Sequence, residues 1–152
     1  MIFPVGHGAG PNAVRVGRTA EHLSDVEFET WDLAHQATDD EALPHVDELL
    51  GRGLLVRVDD VTAFAQQYRL LPLFIGLGNH PDEPDRFAIG VEGLAPLAVV
   101  DERTYELWQW GWVAPSLWAH CEVQTTLGEQ PQLLEGVSTL LAEYVAVLEP
   151  VS

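Results

Sequence analysis

The sequence of 152 residues contains no lysine, and its seven cationic residues are all arginines. Because 24 residues are acidic, the formal net charge is -17. A field of this sign repels phosphate backbones and anionic membrane surfaces, and it speeds encounter with a basic partner. A host organism that prefers arginine and acidic residues would produce the same composition, so the charge leaves both explanations open.

Cysteine and long apolar runs are also scarce. Cys121 is the only cysteine, which excludes an internal disulfide and a cysteine-based zinc site. The N-terminus lacks a basic segment followed by an apolar run. No stretch approaches the roughly 20 apolar residues of a membrane span. We therefore expect a globular cytoplasmic protein that does not contact membranes.

Two segments carry the same pattern of short apolar strands around turn residues. In the first, residues 5–8 lead through a Gly/Pro/Asn turn to residues 13–17. In the second, residues 75–78 lead through a similar turn to residues 87–90, and the glycines of the two segments correspond. Alternating apolar residues on both sides of turn residues predict a β-hairpin in each segment.

Helix signals follow both hairpins in the same order. Ser24 and Glu27 form a capping box that opens a helix carrying Trp31. Asp101 opens a helix carrying Trp108 at the matching place. The first helix of each half is therefore predicted by its N-cap and by its tryptophan.

A second pair of helices is indicated by apolar residues spaced as one helix face. The matched positions are Leu43, Val46, Leu49 and Leu50 in the first half and Leu134, Val137, Leu140 and Leu141 in the second. A closing strand follows each helix, at 54–58 and at 145–148. Strand–helix–helix–strand patterns also recur by chance, but four landmarks in the same order favour duplication of one module.

Residues 61–71 have the apolar spacing of a helix between the halves. Asp59 and Asp60 lie at its N-terminus, where carboxylates are stabilised, and Pro72 ends it. We therefore predict an α+β fold of two winged-helix-like repeats, each a β-hairpin, helices and a closing strand, joined by a central helix. The predicted divisions are 1–59 for the first repeat, 60–72 for the connecting helix and 73–152 for the second repeat.

This order of elements, with a final helix over 44–51 in the first repeat, is similar to a winged helix-turn-helix. Among winged helices it resembles the PqqD-like modules known as RiPP recognition elements, here taken twice over almost the whole chain. The resemblance rests on architecture and not on a diagnostic motif. It implies a PqqD-type dimer fused into one chain, in which a bound leader peptide adds a strand beside the hairpin, against the last helix.

The segments that would contact DNA carry the wrong charge. In DNA-binding winged helices, the recognition helix presents Arg, Lys, Asn or Gln to base edges, among phosphate contacts. Here the helix over 44–51 exposes Asp47 and Glu48, and the hairpin tip at 79–85 is acidic. We therefore expect no nucleic-acid partner, and a transcriptional regulator is the least favoured hypothesis.

Residues suited to catalysis form no clear constellation. His7 and His80 lie close to the glycines of the two hairpins, so symmetric packing of the repeats would make them neighbours. The N-terminal glycines lack the Lys-Ser/Thr pair of a phosphate loop. We expect no catalytic residues, metal ligands or cofactor. The alternative is a small enzyme or enzyme subunit with a pocket between the repeats that encloses His7 or His80 and a carboxylate.

Four of the five tryptophans lie within one short segment, at Trp108, Trp110, Trp112 and Trp118. Trp108 is expected in the core as the counterpart of Trp31. Two interpretations of Trp110 and Trp112 stay open, because tryptophan is enriched at binding hot spots but would also fill a seam between the repeats. An exposed edge strand of either hairpin is a second candidate contact site.

The leading hypothesis is a non-catalytic module that recognises a peptide or a partner enzyme in the maturation of ribosomal peptide natural products. The charge favours a basic partner, and a homodimer stays open. The predicted partner-binding residues lie on the hairpins, on the last helices and in the tryptophan segment: Val14, Val16, Val46, Leu50, Phe87, Ile89, Trp110, Trp112 and Val137.

Overall fold

The computed structural model describes residues 1–36, 43–123 and 130–151, which form a mixed α+β fold. The first half contains β1 (Ile2–Pro4), β2 (His7–Gly8), β3 (Ala13–Val16), β4 (Thr19–His22), α1 (Asp25–Leu33), α2 (Val46–Gly51) and β5 (Leu55–Arg57). The second contains α3 (Val61–Gln67), β6 (Tyr68–Pro72), β7 (Ile75–Asn79), β8 (Arg86–Gly90), β9 (Ala98–Asp101), α4 (Glu102–Trp110), α5 (Leu117–Val123), α6 (Gln130–Ala142) and β10 (Ala146–Pro150). No helix in the described ranges is long and apolar enough to cross a membrane.

The two halves share one order of strand pairing. Three consecutive strands form an antiparallel sheet in each half, in the orders β2-β3-β4 and β7-β8-β9. Helices follow, and the last strand then returns to pair with the strand that opens the half, β5 with β1 and β10 with β6. The closing strands predicted at 54–58 and 145–148 are confirmed. The first and last strands of each half are therefore paired with each other.

The predicted helix starts are confirmed by their hydrogen bonds. Ser24 Oγ accepts from the Glu27 backbone N–H at 3.2 Å, while Glu27 Oε1 accepts from the Ser24 N–H at 2.9 Å. Asp101 Oδ1 accepts from the Thr104 N–H at 2.8 Å to cap α4. These side chains satisfy backbone donors that have no partner within the first helical turn.

Trp31 and Trp108 are buried at the junctions of their strand pairs, as expected from their matched positions. The Trp31 indole N–H donates to the Val5 carbonyl at 3.0 Å, and that of Trp108 donates to the Val145 carbonyl at 2.8 Å. A buried indole needs such an acceptor, because an unpaired N–H in the core is costly. Each tryptophan therefore links its helix, through this hydrogen bond, to the strand pair that closes its half.

The predicted connecting helix over 61–71 is wrong in its second part. Helix α3 starts at the Asp60 cap, as expected, but ends at Gln67, and residues 68–72 form β6. Leu70 is buried there, and β10 pairs with β6 along its whole length. Tertiary pairing overrides the helical spacing, because β10 would otherwise leave its backbone groups without partners.

The predicted hairpins are incomplete. In both halves a third strand, β4 or β9, pairs with the second strand of the hairpin. Residues 2–4 form a separate opening strand, so Val5 lies between two strands and not within one. The polar sequence of Thr19–His22 explains why β4 was missed, since an exposed edge strand carries little hydrophobic periodicity.

The two halves share a hydrophobic core. Phe3 and Val5 of the first half are buried in the same cluster as Leu140 and Leu148 of the second. Hydrogen bonds cross the seam as well: the Gly6 N–H donates to the Leu148 carbonyl at 2.7 Å. The halves are therefore packed into one unit through the N-terminal strand.

A second seam contact surrounds His35, a buried side chain near the end of α1. Its ring stacks on Tyr144 with centroids 4.5 Å apart and meets Trp31 edge-on at 4.9 Å. The Tyr144 hydroxyl donates to Asp32 Oδ1 at 2.9 Å. Tyr144 has a φ of 57°, and Gly53, which follows the last helix of the first half, has a φ of 74°. The tyrosine adopts a backbone conformation that suits glycine, and its side chain joins the halves there.

We expect Gly53→Ala to destabilise the protein by about 1 kcal/mol, because a Cβ is unfavourable in the left-handed conformation that ends α2. Gly51→Ala is the matched control, since Gly51 is helical and a Cβ there meets no atom within 4 Å. It should leave stability unchanged or raise it by up to about 1 kcal/mol. Urea unfolding measures both; an equal loss in the two variants contradicts this account.

We expect the His35 contact to weaken in acid. Burial lowers the pKa of His35 below its ordinary value of 6.5, against an opposing contribution from its hydrogen bond to the Asp32 carbonyl. The unfolded chain therefore binds this proton first, and folding stability falls as the pH drops below about 6.5. In His35→Phe, the ring remains but cannot titrate.

The free energy of unfolding of wild type relative to His35→Phe should therefore decline between about pH 7.5 and about pH 5.5. Burial also lowers the pKa of His120, but that residue is present in both proteins and cancels. Urea unfolding at several pH values provides the measurement. A difference that stays constant over this range would rule out His35 as the titrating group.

Candidate functional site

A cleft of about 800 Å³ lies beside the end of β9, between α4 and α6. Five carboxylate residues and two arginines line it, together with smaller polar and apolar side chains: Asp85, Arg86, Val100, Asp101, Glu102, Arg103, Thr104, Glu106, Gln132, Glu135, Gly136 and Thr139. Acidic residues outnumber basic ones, so the cleft favours a cationic ligand.

Strand β9 is an edge strand of its sheet, and its pairing with β8 shows which of its N–H and C=O groups point outward. The Ile89 carbonyl accepts from the Leu97 N–H at 2.9 Å, so Ile89 faces β9, and its partner in the register is Ala98. Successive residues of an antiparallel strand direct their N–H and C=O groups to opposite sides. The N–H and C=O of Val99 therefore point outward, and the Arg86 guanidinium donates to that carbonyl at 2.9 Å.

Gly136 allows α6 to approach α4 closely behind the cleft. A Cβ at Gly136 would lie 3.3 Å from Leu107 Cδ2 and 3.6 Å from Thr104 Oγ1. Because that space is tight, a larger residue would push the helices apart. The fixed separation of α4 and α6 sets the width of the cleft.

Asp101 is ionised at the mouth of the cleft. Partial burial raises its pKa, but hydrogen bonds from the backbone and side chain of Thr104 lower it, as do the nearby charges of Arg86 and Arg103. The net result is a pKa below the ordinary value, so the carboxylate carries its charge at neutral pH. The same group caps α4, which fixes its position.

The corresponding edge in the first half is occupied by an arginine. The Arg52 guanidinium donates to Glu21 Oε2 at 2.9 Å, to Glu27 Oε2 at 3.1 Å and to the His22 carbonyl at 2.9 Å. These bonds tie β4 to the start of α1 and the end of α2. Arg86 makes the same kind of bond to the edge strand of the second half, so the halves differ in the surroundings of the arginine: Arg52 is also bonded to two carboxylates, whereas Arg86 lines the cleft.

Most of the predicted partner-binding side chains lie inside the protein. Val14, Val46, Ile89 and Val137 are buried in the two core clusters. Val16 and Leu50 are partly buried against those clusters, and Phe87, also partly buried, stacks on Tyr105. A partner that leaves the fold intact cannot contact Val14, Ile89 or Val137, whereas Val46 also lines a surface pocket. Ile89 and Phe87 lie on β8, the strand that pairs with β9.

The partner-binding residues predicted on the hairpins lie on the central strands of the two sheets and not on edge strands. β3 pairs with β2 and β4, and β8 pairs with β7 and β9. A peptide strand therefore cannot pair directly with the strand that carries Val14 and Val16, or with the strand that carries Phe87 and Ile89. The edges available within these two sheets are β2, β4, β7 and β9.

Trp110 and Trp112 are 52% and 48% exposed, so they do not fill a seam between the halves. Helix α4 ends at Trp110 with Gly111 as its C-cap. The Trp112 indole donates locally, to the Gln109 carbonyl at 3.0 Å. Both rings are open to solvent on the surface.

His7 and His80 have separate partners. His7 Nδ1 lies 3.8 Å from Glu149 Oε1 at the seam, with a half-exposed side chain. His80 Nδ1 accepts from the Asp82 N–H at 3.2 Å within the β7–β8 turn. Neither lines the cleft. The enzyme alternative predicts a pocket between the repeats around His7 or His80 and a carboxylate. His7 has such a carboxylate neighbour in Glu149, whereas the hydrogen bond of His80 stays within its own turn.

Metal-ligating groups and the Cys121 thiol are relevant to the requirements of a catalytic site. Among residues 1–36, 43–123 and 130–151, no group of three or more His, Cys, Asp or Glu residues could hold a metal ion. Burial raises the pKa of Cys121, which keeps the thiol protonated at neutral pH.

Sequence reasoning missed Val99 and Glu135 as site residues and assigned Asp101 only a capping role. A signal for β9 was present, since the apolar run at 97–100 directly follows Pro96 and precedes the helix cap. No comparable signal pointed to Glu135, because its place beside β9 depends on how α6 packs.

We expect Asp101→Ala to cost about 1 kcal/mol through loss of the α4 cap, whereas Asp101→Asn should stay within a few tenths of a kcal/mol of wild type. Both substitutions remove the carboxylate from the cleft, but only asparagine still accepts from the Thr104 N–H. Urea unfolding distinguishes them. Equal stability of the two variants would show that the Asp101 cap does not hold α4.

Comparison with models of known protein families, with curated proteins and with solved structures finds no match to this chain.

Proposed function

We propose that this protein is a non-catalytic recognition module that binds an extended, basic peptide along the outer edge of β9. The observation that carries this proposal is the position of an open edge strand beside an acidic cleft. An edge strand offers unpaired backbone groups to an added strand, and the neighbouring side chains supply specificity.

The backbone of β9 would supply the affinity. A peptide strand beside β9 would form hydrogen bonds with the outward N–H and C=O of Val99, and its own backbone would replace the Arg86 guanidinium at the Val99 carbonyl. Released from that bond, Arg86 could turn toward the cleft carboxylates. Strand addition of this kind needs little rearrangement of the protein, since the sheet is already formed.

The acidic cleft would supply the selection for basic peptides. Side chains of a strand alternate between its two faces, so every second peptide residue would face the cleft. Arg or Lys at those positions would meet Asp101, Glu102 and Glu135, while small apolar residues would pack on Val100 and Gly136. The affinity should fall as salt is added, because these carboxylates are at the surface.

The likeness to tandem winged-helix, PqqD-like modules belongs to the same proposal. It is supported by the shared order of the halves, each with a three-stranded sheet, helices and a closing strand. A leader peptide added beside the sheet and against the last helix would lie at β9 and α6. On this basis we propose a cytoplasmic protein whose ligand is a leader peptide, or a segment of a partner enzyme, in ribosomal peptide maturation.

A displayed library of random peptides tests this proposal. Selection on the wild-type protein should enrich peptides with Arg or Lys at every second position. Binding of an enriched peptide should be lost in Val99→Pro, because proline removes the outward N–H but keeps the bonds to β8. Asp101→Asn and Glu135→Gln should weaken it, by a few-fold each, through lost charge attraction.

Ala20→Pro is the matched control, because Ala20 lies on the exposed edge strand β4 of the first half. This variant should bind the enriched peptides as wild type does. Fluorescence anisotropy with labelled peptides gives the affinities. If the selected peptides are not basic, or if they bind Val99→Pro as tightly as wild type, the proposal fails.

A further inference from the structure

We propose that a second surface of this protein docks a folded protein partner whose own apolar patch is bordered by Lys and Arg. The surface, called here the β7 strip, consists of Leu73, Phe74, Ile75, Val91, Leu94 and Leu97. All six side chains are exposed, and Leu94 reaches 68%. A contiguous exposed apolar patch on a highly charged protein marks a contact site.

The strip is continuous because the sheet brings its parts together. Ile75 pairs with Gly90 in the β7–β8 register, and Val91 follows Gly90 directly. The Leu97 backbone N lies 3.1 Å from the position of a Cβ on Gly90, and the Leu94 N–H donates to the Val91 carbonyl at 3.1 Å. The β8–β9 connection therefore brings the backbone of Leu94 and Leu97 back to the end of β8, beside the start of β7.

The backbone conformation of Phe74 supports a binding role for the strip. Its φ is 68°, and the corresponding residue two positions after the opening strand of the first half is Gly6, with a φ of 84°. Glycine adopts this conformation without strain, whereas a phenylalanine does not. The second half thus places an aromatic ring, half exposed to solvent, at a position where the fold itself favours glycine. A contact outside the chain would account for this choice.

Charge determines the kind of partner. Glu92 lies within the strip, between Val91 and Leu94, and Asp82 and Glu83 lie in the β7–β8 turn at the far end of β7. Of the turn carboxylates, Glu83 has Arg86 nearby, at 3.5 Å. A partner with an apolar centre and a basic border would match this surface, and like charges would reject an acidic one. The same field disfavours an anionic membrane.

A second copy of this chain fits the strip poorly. Each copy carries a net charge of -17. Antiparallel pairing of β7 with itself would set the apolar Ile75 end against the acidic turn of the other copy. The register of β7 also shifts between Gly76 and Gly78, and such a bulge hinders the addition of a strand. The strip is therefore suited to side-chain packing against a different protein.

The strip lies where β7 begins and where β8 connects to β9, whereas the cleft lies at the other end of β9, beside Val100 and Asp101. The two surfaces therefore share no lining residue. The strip does not depend on the peptide proposal, because no residue of the strip lines the cleft. Together the two surfaces would bring a bound peptide to a partner protein.

The test uses the full chain immobilised as wild type, as Ile75→Ser/Leu94→Ser, and as Val26→Ser/Leu33→Ser. The last pair is the matched control, since Val26 and Leu33 are exposed apolar residues of α1, outside the strip. Proteins captured from an extract of the native organism are quantified, and those lost only with the strip variant are produced recombinantly. Their direct binding is then measured by calorimetry at low and high salt.

The expected result is a basic, folded protein that binds wild type and the α1 control variant equally and the strip variant at least about tenfold more weakly. Glu92→Lys should also weaken it, and Val99→Pro should not, which separates this outcome from failure of the peptide proposal. Circular dichroism confirms that each variant folds.

Three outcomes overturn the proposal. The first is that no captured protein distinguishes the strip variant from wild type. The second is sedimentation of wild type as a dimer that Ile75→Ser/Leu94→Ser converts to a monomer, which assigns the strip to a second copy. The third is strip-dependent binding to vesicles of phosphatidylcholine and phosphatidylglycerol, which assigns it to a membrane.

Discussion

The architecture depends on one constraint, the pairing of the last strand of each half with its first. β5 returns to β1 and β10 returns to β6, so the sheet and helices between them are held in a closed unit. Both buried tryptophans donate to carbonyls at these junctions, at Val5 and Val145. Because Phe3 of β1 and Val5, which follows β1, also pack in the core of the second half, closure of one half stabilises the other.

Pairing of the first and last strands leaves edge strands in both three-stranded sheets. The side chains beside these edge strands differ in charge. In both halves an arginine donates to a carbonyl of the outer strand, Arg52 to that of His22 and Arg86 to that of Val99. In the second half, β9 lies beside a cleft rich in carboxylates, while β7 has a bulge and a border of exposed apolar side chains. Two copies of one order of elements thus present different surfaces, which is how one chain could join a peptide and a protein.

Local signals predicted much of the fold. The Ser24 and Asp101 caps, the buried tryptophans and both closing strands were visible in the sequence because each depends on neighbouring residues. Features set by distant pairing were not visible: residues 68–72 have helical spacing but become a strand because β10 needs a partner. The site was predicted less well, since an apolar pattern identifies core residues such as Ile89 and Val137 but does not show which strand ends at an edge.

The most direct test of the central claim is hydrogen exchange at the Val99 amide, followed by NMR with and without a selected basic peptide. The amide points away from β8, so it should exchange quickly in the free protein and become strongly protected when a peptide strand pairs with it. The Val100 amide, which faces β8, provides an internal reference that should change little. Saturating peptide that leaves Val99 unprotected would contradict strand addition at β9 and, with it, the proposed mode of recognition.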